Sequence, residues 1–326
     1  MIFKVHVRAA VIAATTFFAA SVATFAQQPT FPSGPVTIVV PYAPGGSSDT
    51  TARLLAAGMS RRLHQTVIID NKPGAGGNIG AVAVAKAKAD GHTLLWATSS
   101  HAANLALYKK PGFDLIKDFV PVSLVSSIPN VLVVPSASPA NSVAEFIKLA
   151  KSTANPLNYG SAGNGTSSHL AAAIFAKQAG VRLQHVPFKG GAPANQELLA
   201  GRLDLVFAPM VEILPYVEGG KLKPLGVTST KRSSRLPNVP TIAEELPGYK
   251  SELWNSLMAP AGTPAPVVAQ LAAAVQEVLK DPEMRKQMEA QGTVPVGSSA
   301  TEFARMLPSE VADAAKAVQA ANVTLD

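Results

Sequence analysis

The chain has 326 residues, with 28 Lys and Arg against 21 Asp and Glu, a formal charge of +7, and no cysteine. This excludes a disulfide framework, a thiolate nucleophile and a Cys-ligated metal. The basic excess is scattered in isolated pairs such as Arg61-Arg62 and Arg285-Lys286, with no interleaved aromatics, so nucleic-acid binding is not expected.

The N-terminus carries Lys4 and Arg8, then a mostly apolar run from Ala9 to Val22, then Ala23-Thr24-Phe25-Ala26 before Gln27-Gln28. That order predicts a secretory signal peptide over residues 1–26, cleaved near Ala26. The run is short for a bilayer span of about 20 residues. Cleavage leaves an exported chain of 300 residues, which suits one large domain or two smaller ones.

Val36 to Val40 reads as a buried strand, followed by the loop Pro44-Gly45-Gly46-Ser47-Ser48-Asp49 and a helix from Thr50 to Leu63 with Asp49 as its N-cap. Val67 to Ile69 is a second strand. A Gly-rich turn from Asn71 to Gly77 leads into a helix from Ile79 to Ala87, and Thr93 to Ala97 is a third strand. The rhythm restarts after Pro129. Strands are predicted at 131–134, 157–159, 184–186, 204–208 and 223–227, and helices at 142–151, 168–179 and 194–200. Helical stretches at 267–279, 282–291 and 301–321 close the chain, the last broken at Pro308. The alternation implies an α/β protein with a largely parallel sheet. No repeat of solenoid length is present.

Three loops stand between a strand and a helix: 44–49, Thr98-Ser99-Ser100-His101, and 160–169 with Ser161, Gly163, Asn164, Gly165, Thr166 and Ser167. Such loops present backbone N–H groups and hydroxyls at helix N-termini, where the partial positive charge suits a small anion. Metal and cofactor are not called for: the six histidines form no His-x-His or His-x-x-x-His pair. Gly74 to Gly80 has Ile79 where a dinucleotide loop needs its third glycine. No Gly-x-Ser-x-Gly elbow occurs, so a periplasmic enzyme is the weaker alternative.

The ordered motifs Val40–Asp49, Asn71–Gly80, Asp90–Leu95, Tyr159–Leu170, Val186–Gly190, Leu236–Thr241 and Ala259–Pro264 closely resemble the TctC or Bug family. These are the periplasmic solute receptors of tripartite tricarboxylate transporters. The resemblance runs from about Pro35 to the C-terminus. It implies a two-lobed type II periplasmic binding-protein fold with a ligand cleft between the lobes. Lobe 1 would be residues 27–125 plus 230–326 and lobe 2 residues 126–229, with crossover strands near 126–134 and 222–228. It further implies a monomer that takes up a small carboxylate, such as a di- or tricarboxylate, an amino acid or an aromatic acid. The partner would be the membrane permease subunits, or a sensor kinase instead.

The site residues it implies are Gly45, Gly46, Ser47 and Asp49; Thr98, Ser99, Ser100 and His101; Ser161, Gly163, Asn164, Gly165, Thr166 and Ser167; and Asp204 at the far end. Asp49 is read as a helix cap in preference to a group orienting water. Asp204 is open between ligand contact and turn residue. His101 and His169 are read as helix-start hydrogen-bonders ahead of ligand donors. Phe207 to Met210 is read as core ahead of an apolar cleft wall.

Overall fold

The computed structural model describes residues 31–321 and 323; the expected signal peptide at 1–26 lies outside the described residues. Ten strands join in the order β2-β1-β3-β9-β4-β7-β5-β6, with β8 and β10 also paired to β4. In the first half, β1 (Val36–Val40) lies parallel between β2 (Val67–Asn71) and β3 (Thr93–Thr98). In the second, β5 (Leu157–Ser161) lies parallel between β6 (Leu183–Pro187) and β7 (Leu205–Pro209).

The two halves share one long strand, β4 (Phe119–Pro135). Its first part pairs antiparallel with β9 (Glu252–Pro260), from Phe119↔Pro260 to Pro129↔Glu252. Its last part pairs antiparallel with β7 and with β8 (Leu222–Val227). The short β10 (Val294–Pro295) pairs with its middle. The sheet is therefore mixed rather than largely parallel. The strand β9, unforeseen in the sequence, lies between β3 and β4 and antiparallel to both.

Helices cover both halves. In the first lie α1 (Ser47–Leu63), α2 (Asn78–Ala85), α3 (Ser99–Leu107), α8 (Ala265–Lys280) and α9 (Pro282–Ala290). In the second lie α4 (Val143–Ser152), α5 (Ser167–Ala179), α6 (Gly191–Leu199) and α7 (Met210–Glu218). Each half has its own cores. Val36, Ile38, Leu55, Trp96, Leu257, Leu271 and Val275 pack together in the first. Leu132, Phe146, Phe175, Phe207 and Tyr249 pack in the second. Fully buried apolar groups of this kind contribute about 25 cal/mol per Å² removed from water.

Beyond residue 230 the chain packs against the second half. Leu236 and Val239 pack beside Leu222 and Val227, Ile242 and Tyr249 enter the second core, and the Tyr249 hydroxyl donates to Ala171 O at 2.8 Å. The apolar groups hold this segment on the second half until β9 begins. The final helix α10 (Ala300–Ala321) is unbroken at Pro308. Pro308 faces solvent there, so the carbonyl it leaves without a helical donor is open to water. α10 packs Phe303 and Leu307 on the first half, and Val318 beside Leu107 and Leu170, reaching the second.

Candidate functional site

Parallel strands end where their helices begin, and ligands collect at that edge. The carboxyl ends of β1 and β3 face those of β5, β6 and β7 across a cleft. The cleft is lined by Gly46, Ser47 and Ser48 at the start of α1, Ser100 in α3, and Thr166, Ser167 and Ser168 at the start of α5. Gly190, Gly191 and Ala192 at the start of α6, and Pro209 and Glu212 at the start of α7, complete the far wall. Five helix N-termini thus converge from the two halves. Their unpaired N–H groups and partial positive charge favour an anion. Tyr42, Ala43, Pro44, Ala162, Pro193 and Leu253 add mainly apolar surface, around about 490 Å³ of space not filled by atoms. Among the described residues, no Lys or Arg lines this cavity. Lys189 lines an adjoining one, which continues past Tyr42 and Gly190 along Gly74 to Gly77.

The expected residues separate into those that face the cleft and those that shape it. Gly46, Ser47, Ser100, Thr166 and Ser167 face it. Asp49 does not. It is the third residue of α1, whose N-cap is Gly46. Its carboxylate accepts the Gly45 N–H at 3.0 Å, the Asn71 amide at 3.0 Å and the Arg53 guanidinium at 2.9 Å. Burial pushes Asp49 up, but the Arg53, Gly45 and Asn71 donors outweigh it and hold the carboxyl below its ordinary range. Asp49 ties down the glycine loop, and Gly45 takes φ +84, which favours glycine there.

Thr98 is the N-cap of α3, and its hydroxyl meets the Tyr42 hydroxyl at 2.9 Å. His101 is fully buried, and its Nδ1 accepts the Thr98 N–H at 3.0 Å. Burial holds its pKa at about 4, so the ring is neutral. Ser99 turns toward a separate surface hollow beside Trp254 and Glu310.

In the second half, the Ser161 hydroxyl is buried, 2.6 Å from His185 Nε2 and 3.2 Å from Gly163 O. Gly163 lines the adjoining cavity. Gly165 donates its N–H to His169 Nδ1 at 3.0 Å. The Asn164 carbonyl and Gly165 abut the first half: a Cβ on Gly76 would sit 2.5 Å from Asn164 O, and one on Gly165 2.0 Å from Asn104 Oδ1. His169 therefore serves the loop from behind, as a helix-start hydrogen-bonder.

Asp204 lies away from the cleft. It is exposed and accepts the Asn158 N–H at 2.7 Å, at the amino ends of β5 and β7. The site lies at the carboxyl ends, so a parallel strand's full length separates the two. Phe207, Ala208 and Met210 are core as expected, while Pro209 reaches the cleft.

Among the polar lining side chains, Tyr42, Ser48, Ser168 and Glu212 were missed. Tyr42 closes the cleft beside Thr98. Glu212 crosses it: the Glu212 carboxylate accepts the Ser47 N–H at 2.8 Å and the Asn195 amide at 3.2 Å. An acid just inside a helix that follows a buried strand was the available signal.

The family model described as the tripartite tricarboxylate transporter family receptor, TctC, matches residues 51–323. Rpa4515 of R. palustris, solved with adipate, is 36% identical with a TM-score of 0.87, over 90% of this chain and 99% of that one. The periplasmic binding protein BugD is 34% identical with a TM-score of 0.86, over 90% and 99%. MatC of Rhodopseudomonas palustris, solved with malate, is 35% identical with a TM-score of 0.83, over 88% and 100%. No helix among the described residues is long and apolar enough to cross a membrane. The chain belongs to the TctC family of tripartite tricarboxylate transporter receptors, a family of solute-binding proteins rather than enzymes, and has their periplasmic binding-protein fold.

Proposed function

We propose that this protein captures a small carboxylate between its lobes in the periplasm and delivers it to membrane permease subunits. The observation that carries this reading is the convergence of five helix N-termini on one cleft, those of α1, α3 and α5 with hydroxyls, and no lining Lys or Arg among the described residues. Neutral donors hold a carboxylate reversibly, as a receptor that must unload requires. The adipate and malate bound in two related structures support the ligand class.

The lobes in this reading are residues 31 to about 125 with about 252 to 321, and about 126 to 251. Residues 1–26 are the export signal. The ligand bridges the lobes and shifts an open–closed equilibrium by binding the closed form better. The permease recognises that closed form.

The test is mass spectrometry of the small molecules released when the purified protein is denatured, followed by calorimetric titration with the acid found. A stoichiometric acid that rebinds supports the reading. Release of a ligand with no carboxylate, or turnover of the acid, would overturn it.

A further inference from the structure

Glu212 is the one acidic side chain lining the cleft, and it reaches across from the second lobe to the first turn of α1. One carboxylate oxygen accepts the Ser47 N–H at 2.8 Å, and the other accepts the Asn195 amide at 3.2 Å. The fold makes room for it. A Cβ on Gly191 would lie 1.9 Å from Glu212 Oε2, so any larger residue there would displace the acid. A Cβ on Gly46, from the other lobe, would lie 3.4 Å from Oε1. The anion position at the N-terminus of α1 is therefore filled by the protein's own carboxylate.

Burial pushes the Glu212 carboxyl above its ordinary range, and among the described residues no Lys or Arg lines the cavity to balance its charge. The Asn195 side chain that touches Glu212 has its own oxygen buried without a donor. At this end of the cleft the charged group is the Glu212 carboxylate. Elsewhere the cleft offers the N-termini of α3 and α5, with Ser100, Thr166 and Ser167. A dicarboxylate would bring a second anion against Glu212, which like-charge repulsion in a partly dry cleft disfavours. An ammonium group would neutralise it and donate to its free lone pairs.

Resting on the carboxylate-receptor reading, we propose that Glu212 selects a zwitterion: a small acid whose carboxylate sits at the α3 and α5 N-termini and whose ammonium group pairs with Glu212. Glu212 is then the specificity-determining residue of this receptor.

Calorimetry on the mature chain tests this with acids matched in methylene number: β-alanine against succinate, 4-aminobutyrate against glutarate, and 5-aminopentanoate against adipate. The expected result is that at least one amino acid binds ten-fold or more tightly than its diacid partner. In Glu212→Gln, which keeps the shape and an acceptor oxygen, the ratio should fall at least ten-fold toward the diacid. Glu212→Ala should lose the discrimination as well, which covers the case where the glutamine variant folds poorly. Tighter binding of a diacid to the wild type, or an amino-acid preference that survives in both variants, would overturn the Glu212 assignment while leaving the carboxylate reading intact. If neither acid of any pair binds the wild type or the variants, the carboxylate reading itself falls, and the assignment with it.

Discussion

The imidazole rings of His169 and His185 stack face to face, 4.0 Å between centroids and 5° from parallel, with the Tyr159 ring 4.8 Å from His185 and 6.3 Å from His169. Both rings lie behind the loop that forms the second-lobe wall. Each also makes a polar contact on that loop: His169 Nδ1 accepts from Gly165 N–H and His185 Nε2 meets the Ser161 hydroxyl. Burial, with the neighbouring His185 adding to it, pushes His169 down to about 3, and burial pushes His185 down to about 4.

That stack predicts a pH dependence of stability. A depressed histidine stays neutral when folded but binds a proton when unfolded below about 6.5. The unfolded state then holds more protons, so stability is complete above that value and falls with pH toward about 3 to 4. At about 1.4 kcal/mol per unit, His169 alone should withdraw roughly 3 kcal/mol between pH 6.5 and 4. Buried His101 acts in the same window. Urea unfolding at pH 7.5, 6.0 and 4.5 measures the slope, and His169→Asn should flatten it. An unchanged slope in that variant would count against the stack as its source.

Serine hydroxyls in the 161–168 loop should divide into two classes. Ser161 is fully buried and engaged with His185 and Gly163, so Ser161→Ala should cost about 1–2 kcal/mol of stability. Ser167 lines the cleft, so Ser167→Ala should leave the melting temperature nearly unchanged and weaken ligand binding about five-fold, the worth of one net hydrogen bond. Differential scanning fluorimetry and calorimetry read the two quantities separately. Equal affinity losses with equal melting temperatures would remove the distinction.

Closure should depend on Gly165. It has φ +75, and an added Cβ would lie 2.0 Å from Asn104 Oδ1 in the other lobe. Gly165→Ala should therefore hold the lobes apart at this contact, besides about 1 kcal/mol or more of local strain. The affinity should drop ten-fold or more, and the radius of gyration by X-ray scattering should stop contracting on ligand addition. Normal contraction in the variant would show that this contact is not part of closure.

The glycine- and serine-rich loops were legible because their function is local. A strand end, a few small residues and a helix start announce a donor-rich N-terminus without knowledge of what packs above it. β9 was not legible for the opposite reason. Its partners are supplied from far away, as when the Ser256 hydroxyl reaches Ala97 O across 159 residues of chain. Its run of Leu253 to Ala259 also sits among prolines and glycines that read as loop. Glu212 was passed over because its contact, Ser47, is 165 residues away. Asp204 misled because aspartate after a glycine turn fits a ligand contact and a loop tie equally. Only the strand direction distinguishes the two ends of β7.

Asp49, in the first turn of α1, and Asp204, in the turn before β7, should respond to neutralisation to different degrees. Asp49 is only 4% exposed and holds three donors from Gly45, Asn71 and Arg53. The Arg53 side chain is half exposed, so its ion pair contributes less than the two fixed N–H donors. Asp49→Asn places an amide against donors, and should cost about 2–3 kcal/mol and weaken binding by loosening the loop at Gly45. Because the folded carboxyl of Asp49 is held low, its contribution is complete above the ordinary carboxylate range and disappears as pH falls through the lowered value. The stability gap between wild type and variant should be constant from pH 8 to 6 and close only under strong acid. Asp204→Asn removes one exposed tie to the Asn158 N–H at the far end of the strands. It should cost under about 1 kcal/mol and leave ligand affinity within two-fold. Urea unfolding and calorimetry on the two variants decide the matter, and an affinity loss in the Asp204 variant would return that residue to the site.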